Sequence, residues 1–415
     1  MQLKWVEGGV CAPKGFVANG MLAGIKKNSK KDDVALIFSD TVCSAAGVFT
    51  QNKVTAEPVK LTRSRCREGH AQAIFINSGN ANACTGAQGA KNAQRMSDAA
   101  VKALNDFAPS PVPINKDDVL IASTGVIGVQ LPIEKIEKIT SDLVHGLSKD
   151  GNTKARVAIM TTDTKFKECA VEFELDGKKV HIGTMAKGSG MIHINMGTMI
   201  ASVTTDCCIS SQMLDKALRE SVAGTYNCVS VDGDTSTNDS MMILANGQAQ
   251  NSEIITTGKN YELFLEALNA VNTKMARKIA ADGEGAEHLI ECTVTGASTV
   301  QSARSLAKSV ISSSLVKAAF FGKDANWGRI LCALGYSGEL FTPEKTSVTF
   351  SNSKGSEKVF DHGVPLNFDE DKASIILNEK EIKILVEMED GKATGTAWGC
   401  DLTYNYVKIN GDYRT

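Results

Sequence analysis

Hydrophobic residues along the chain fall into two periods. Short apolar runs of strand length occur at Phe16–Gly20, Val34–Phe38, Ala73–Ile76, Val119–Ala122, Ala155–Met160, Cys169–Leu175 and Val180–Met185. Most run into Gly, Asn, Asp, Ser or Thr, the pattern of buried strands closed by turns. Asp176-Gly177, between the last two, predicts a hairpin. Elsewhere the spacing is helical. Met96, Ala99, Ala100, Ala103, Leu104 and Phe107 recur at i, i+3, i+4, i+7, i+8 and i+11, and Pro109 and Pro111 end that helix. Helices are also expected at Ile133–Leu147, at Leu214–Val222 with Ser210 or Ser211 as N-cap, and from Leu263 to Ile279, stopping at Asp282-Gly283. From His288 on, a C-terminal α+β unit is predicted. It has a helix over Ala303–Ile311, a loop over Phe320–Arg329, and strands at Val348–Phe350, Ile375–Leu377, Ile382–Glu387 and the alternating Trp398–Tyr406.

A chain of 415 residues with 42% hydrophobic content can bury a large core. Its 45 Lys and Arg against 47 Asp and Glu leave no basic field for nucleic acid or an anionic membrane. No apolar run approaches the ~20 residues that span a bilayer, and the N-terminus lacks a signal-peptide core, so a cytoplasmic protein is expected. The 11 cysteines are an odd number, scattered, and read as reduced and mostly buried. The 6 histidines show no ligand spacing, and no metal or cofactor is expected.

The most unusual chemistry lies in K-G-S-G-M-I-H-I-N-M-G-T-M-I-A-S-V-T-T-D, Lys187 to Asp206. Thr198 stands among apolar residues, where a hydroxyl needs a partner. It is either a strand threonine bonded to a nearby carbonyl or a nucleophile. Cleavage of Gly197-Thr198 would place a free α-amine beside the hydroxyl as its base. Ser123-Thr124-Gly125, at the end of a buried strand, is either a simple turn exit or a hydroxyl and N–H pair suited to an oxyanion. Lys187 reads as a surface charge or, beside a glycine-rich turn, as a cation for a carboxylate. Asp232-Gly233-Asp234-Thr235-Ser236-Thr237-Asn238-Asp239 resembles a calcium loop but lacks the closing Glu, and a hydrogen-bonded turn lining a cleft is expected.

Several of these stretches together resemble one family. K-G-S-G-M-I-H at Lys187, T-T-D at Thr204, A-S-T-G-V-I-G at Ala122, T-T-D-T at Thr161, V-D-G-D-T-S-T-N-D at Val231, A-N-W-G-R at Ala325 and the chain end at Asn410 and Tyr413-Arg414-Thr415 follow the pattern of the ornithine acetyltransferases, bifunctional glutamate N-acetyltransferases of arginine biosynthesis. The resemblance implies an α+β fold, a layered αββα sandwich of two packed sheets between helices with a smaller C-terminal α+β domain. It implies self-cleavage at Gly197-Thr198 and Thr198 as nucleophile. Thr124 and Gly125 would form the oxyanion hole, and Thr161, Lys187, Thr198, Glu284, Asn410 and Thr415 would bind substrate. The parts would be 1–197 as the first chain, 198–287 completing the main unit, and 288–415 as the C-terminal domain. N-acetylornithine and glutamate would be substrates, with acetyl-CoA a further donor in some members, and the enzyme would be a heterotetramer of two chains of each kind. Gly197, where many members have Ala, and Ile194, where they often have Pro, depart from the pattern. Without the family, Glu284 would be an ordinary surface carboxylate and the C-terminus a frayed end. An N-terminal-nucleophile amidohydrolase and an uncleaved binding protein for acetylated amino acids are the alternatives.

Overall fold

Most apolar runs of the first half, with strands from later in the chain, assemble into one nine-stranded sheet. The computed structural model describes residues 2–26, 29–107, 112–193 and 199–412. They form two compact units, the first comprising residues up to Gly188, the described part of 195–222, and Thr235–Met275.

In this first unit lie β1 (Lys4–Val6), β2 (Phe16–Met21), β3 (Val34–Phe49), β4 (His70–Asn80), β5 (Val119–Val126), β6 (Lys167–Leu175), β7 (Lys178–Lys187), β9 (Ile200–Thr205) and β11 (Ser240–Ala245). Their order is β1-β6-β7-β9-β11-β3-β4-β5, with β2 also on β3. The 16-residue β3 changes register between Phe38 and Cys43. Its first half pairs β2 and β4, and its second half pairs β11. This break lets one sheet fold onto itself as two layers. Alternate residues of a strand face opposite sides, and the burial follows that rule. Ala35, Ile37, Ile74, Ile76, Leu120 and Ala122 pack in one core with Met185, Ile200, Met242 and Leu244 of the other half.

The intervening residues Val34, Leu36, Phe38, Ala73, Phe75, Val119 and Ile121 face α2 (Gly86–Phe107) and α3 (Ile133–His145). Across the molecule, Trp5 and Cys169 face α6 (Lys259–Ala281): the Lys274 ammonium sits 3.8 Å over the Trp5 ring, and Cys169 Sγ lies 3.8 Å from the Val271 carbonyl. Asn272 then bonds Ser221 of α5 (Ser211–Gly224) at 2.8 Å. The first unit is thus a four-layer αββα arrangement, with α1 (Glu57–Cys66) beside β5.

The second unit comprises residues 189–194, 223–234 and 276–415, of which Ile194 and 413–415 are outside the described residues. β8 (Ile192–His193) pairs β10 (Ser230–Thr235), and a six-stranded sheet takes the order β15-β14-β13-β16-β12-β17. Its strands are β12 (Leu289–Ala297), β13 (Ser347–Asn352), β14 (Gly355–Asp361), β15 (Val364–Pro365), β16 (Glu381–Glu387) and β17 (Ala393–Cys400). α7 (Val300–Ser312) covers β12 and β17, burying Ala303, Leu306, Ala307, Val310 and Ile311 as its period requires.

Four local expectations are corrected. Ala155–Met160 lies largely in the short helix α4 (Asn152–Ala158), not a strand; Ala155 and Ala158 are buried against the inner core and Arg156 reaches Glu168. Ile375–Leu377 ends α10 (Glu370–Leu377), whose Asp369 cap accepts the Lys372 N–H at 3.0 Å. Phe320–Arg329 is a loop only over 322–326: its first two residues end α8 (Ser314–Phe321), and α9 (Trp327–Gly335) starts where Asn326 accepts the Arg329 N–H at 3.1 Å. The alternation through Tyr404 and Tyr406 does not continue β17, because Thr403 caps α11 (Tyr404–Gly411). The expected Asp176-Gly177 hairpin is present, with φ of +51° and +72°, and Ser210 carries the cap of α5 by accepting the Met213 N–H.

Candidate active site

The ends of β4 and β5 run side by side in parallel, Asn77 with Ser123, Ser78 with Thr124 and Gly79 with Gly125. Gly125 has φ +131°, and a Cβ there would land on the Gly79 carbonyl carbon and the Asn80 nitrogen, so only glycine fits. A buried amide network fixes this end of the sheet. Ser123 donates to Asn77 Oδ1 at 2.5 Å, Asn77 Nδ2 to the Asn80 carbonyl at 2.9 Å, and Asn238 Nδ2 to the Ala81 and Ser123 carbonyls at 2.5 and 2.9 Å. Thr124 follows five buried residues and is itself partly exposed, and its hydroxyl has no partner among the described residues.

Asp163 organises the neighbouring part of the same unit. Its Oδ1 accepts Lys167 Nζ at 2.7 Å and the Gly188 N–H at 2.8 Å, and its Oδ2 accepts the Thr161 N–H at 3.1 Å. Both members of the Lys167 pair are buried. Burial would raise this carboxyl, but Lys187 and Lys167 with the Gly188 N–H outweigh it and hold it down at about 2. Asp163 therefore fixes Thr161 and the backbone just after Lys187 together. Lys187 pairs Ile200 across β7 and β9, is 9% exposed, and has no hydrogen-bond or ion-pair partner among the described residues. A mostly buried ammonium that acts on the Asp163 charge but makes no direct contact with a carboxylate is suited to a ligand carboxylate.

Asp239 lies beside the start of β9, where the Ser240 N–H bonds the Met199 carbonyl at 3.0 Å. It is 4% exposed, and its Oδ2 has no hydrogen-bond partner among the described residues. Burial pushes this carboxyl well above the usual range, against the opposing effects of Ser236, Lys187 and the Met199 N–H.

In the second unit, Glu284 is 7% exposed, and its Oε2 accepts Asn410 Nδ2 at 2.8 Å. Its own N–H bonds the Ser189 carbonyl at 3.0 Å, and Ser189 Oγ donates to the Asp282 carbonyl at 2.6 Å. A Cβ on Gly190 would fall inside the Glu284 carboxylate, so the glycine lets backbone and carboxylate touch. Asp232 bonds the next two residues, accepting the Met191 N–H at 2.6 Å and the Ile192 N–H at 2.8 Å.

Thr124, Gly125, Thr161 and Lys187 thus belong to the first unit, Glu284 and Asn410 to the second. Gly197, Thr198 and Thr415 lie outside the described residues, as do Ile194, Tyr413 and Arg414. Sequence reasoning quoted Asp163, Asp232 and Asp239 within motifs but gave none of them a task. The signal was there in carboxylates that repeat inside Gly- and Thr-rich turns. Among the described residues no three His, Cys, Asp or Glu side chains converge as metal ligands, and no helix is long and apolar enough to cross a membrane.

The chain matches the model of the ArgJ family over residues 17–415. It is 49% identical over 410 residues to the arginine biosynthesis bifunctional protein ArgJ of Caldanaerobacter subterraneus subsp. tengcongensis, covering 99% of each chain. It is 50% identical over 400 residues to ArgJ 1 of Clostridium acetobutylicum, covering 96% of each. Among solved structures, the Bacillus halodurans protein of the same description is 42% identical, over 52% of this chain and 99% of that one, with a TM-score of 0.49. The ornithine acetyltransferase of Mycobacterium tuberculosis, solved with ornithine, is 38% identical over 46% of this chain and 97% of that one, with a TM-score of 0.42. The chain belongs to the ArgJ family.

Proposed function

We infer that this ArgJ-family enzyme is an acyltransferase of arginine biosynthesis that moves the acetyl group of N2-acetyl-L-ornithine to L-glutamate. The observation that carries the reading is the family match along nearly the whole chain, with its motifs in order. In the proposed maturation, Thr198 Oγ attacks the Gly197 carbonyl and the peptide shifts to an ester. Water then cleaves the ester, leaving the Gly197 carboxylate and a free Thr198 amine. An unperturbed α-amine titrates near ~8, so about a tenth of it is free base at pH 7 and can accept a proton.

In turnover, Thr198 Oγ attacks the acetyl carbonyl and its proton passes to the amine. The Thr124 hydroxyl and Gly125 N–H stabilise the oxyanion, donors whose removal singly costs about 10²–10³ in rate. Collapse expels ornithine, which takes the proton and leaves an acetyl-threonine ester. The glutamate amine attacks the ester, releasing N-acetylglutamate and restoring the hydroxyl. Thr161 and Lys187, with Glu284, Asn410 and Thr415, hold the amino-acid parts that donor and acceptor share. Supporting this, Lys187 offers a mostly buried cation with no direct carboxylate contact, and Glu284 a carboxylate for an ammonium, held by Asn410. Acetyl-CoA as a second donor, two copies of each cleaved chain and a cytoplasmic location complete the proposal.

The test is to mix N-acetylornithine and glutamate with the purified protein and measure N-acetylglutamate, ornithine and acetate. N-acetylglutamate and ornithine in equal amounts support the transferase. Acetate with no N-acetylglutamate would make the protein a hydrolase, and no product of either kind would leave a binding protein.

A further inference from the structure

Within the second unit, one carboxylate joins three stretches far apart in sequence. Asp232, on β10, receives the Met191 N–H on Oδ2 at 2.6 Å, and the Ile192 and Asp234 N–H groups on Oδ1 at 2.8 and 3.2 Å. The Tyr406 hydroxyl of α11 donates to the same Oδ2 at 3.3 Å. Met191 has φ +57°, a left-handed conformation that costs a non-glycine residue free energy and needs outside support. Two consecutive N–H groups aimed at one carboxylate supply that support.

The connection continues past Tyr406. One helical turn on, Asn410 Nδ2 bonds both the Tyr406 carbonyl at 3.1 Å and Glu284 Oε2 at 2.8 Å. Glu284 closes the circuit through its N–H to the Ser189 carbonyl, two residues before Met191. Thr403 Oγ1 on the Gly285 carbonyl at 2.7 Å anchors the start of the same helix. The segment 189–192, the turn at Glu284 and α11 are thus held in one ring, with Asp232 and Glu284 each touching both the segment and the helix.

We propose that Asp232, acting with Tyr406, is a positioning residue that fixes Glu284 and Asn410 for the substrate amino group and keeps residues 189–192 docked. The proposal rests on the reading of Glu284 and Asn410 as substrate contacts. It adds that, once the Gly197-Thr198 bond is cut, residues 189–197 end the first chain while Asp232, Glu284 and α11 belong to the second. The Asp232 carboxylate is then a clasp between two polypeptides, holding a new chain end that no covalent bond restrains.

The experiment compares wild type with Asp232→Asn, Asp232→Glu and Tyr406→Phe, each first checked for self-cleavage by intact mass. Steady-state kinetics with N-acetylornithine are then paired with amide hydrogen exchange over 189–197. Asp232→Asn replaces an acceptor oxygen by an NH₂ group facing N–H donors. Losing charge-assisted bonds predicts a KM rise of about 10- to 100-fold with a smaller change in kcat, together with faster exchange at Met191 and Ile192. Tyr406→Phe keeps the hold on the segment and loosens only the helix, predicting normal exchange at 191–192 and a KM increase of about 5-fold. Asp232→Glu recovers part of the KM loss. Wild-type KM in both Asp232→Asn and Tyr406→Phe, or a fall in kcat alone, overturns the positioning role. Unchanged exchange at 191–192 in Asp232→Asn overturns the clasp even if no variant is active. A wild-type protein that neither cleaves nor transfers acetyl counts against the transferase reading instead, and the exchange result still decides the clasp.

Discussion

Asp163→Asn is the substitution whose effect the structure sets most closely. The side chain keeps its shape and can still accept the Gly188 N–H, but it loses the charge that faces Lys167, a buried ammonium at 2.7 Å. Two magnitudes bracket the cost. The carboxyl is held at about 2 against an ordinary value of 3.8, which corresponds to roughly 2 kcal/mol. Breaking a buried pair by removing one partner typically costs about 3–5 kcal/mol, because the remaining charge stays desolvated. A loss of about 2–5 kcal/mol is therefore expected at pH 7.

The sign with pH follows from the depressed value. The contribution is present above the unfolded value of 3.8 and is lost as pH falls toward the folded value of about 2. Urea denaturation followed by circular dichroism at pH 7 and through the acid range should show a large deficit in the variant at pH 7. It should also show a shallower loss of stability than wild type between pH 4 and 2. The tie from Asp163 to Thr161 and Gly188 further predicts a raised KM for N-acetylornithine. A deficit below about 1 kcal/mol, the worth of an exposed pair, together with an acid limb matching wild type, would refute the reasoning.

Asp239→Asn should act in the opposite direction: its raised value means stability is full below 3.8 and declines as pH rises. The variant should melt higher than wild type at neutral pH and show a flatter profile of Tm against pH; a lower Tm at neutral pH would contradict this. Gly190→Ala drives a methyl into the Glu284 carboxylate. It should raise KM for N-acetylornithine by about 10-fold or more while shifting Tm by only a few degrees, since the displaced carboxylate can turn away and lose its charge-assisted bond; an unchanged KM would show that Glu284 does not meet the substrate.

The sheet was legible where strands are buried on both faces. Val34–Phe38, Ala73–Ile76 and Val119–Ala122 read as continuous apolar runs because one face packs on the inner core and the other on α2 and α3. Long helices were legible for the complementary reason, since α2 and α6 repeat their apolar positions over many turns. Short segments were not. Six residues such as Ala155–Met160 carry too few positions to separate a period of 2 from one of 3.6, and packing of Ala155 and Ala158 decided the matter. Tyr404 alternated with its neighbours but is 83% exposed, so no buried face stood behind the pattern.

The candidate site divides similarly. Motifs marked where Thr124, Gly125, Thr161, Lys187, Glu284 and Asn410 stand, but not what holds them. Asp163 meets Gly188 across 25 residues, and Asp232 meets Tyr406 across 174, partnerships that only the folded chain creates. Gly125 and Gly190 are explained the same way, by the neighbours a Cβ would strike.

The central claim is that Thr198 becomes the N-terminal nucleophile of a second chain, and the most direct measurement is intact mass with N-terminal sequencing of the purified protein and of Thr198→Ala. The account predicts two fragments from wild type, the larger beginning at Thr198 and the smaller ending at Gly197, and one uncut 44.1 kDa chain from the variant. A wild-type chain that stays whole after prolonged incubation at neutral pH yet transfers acetyl at full rate would contradict it.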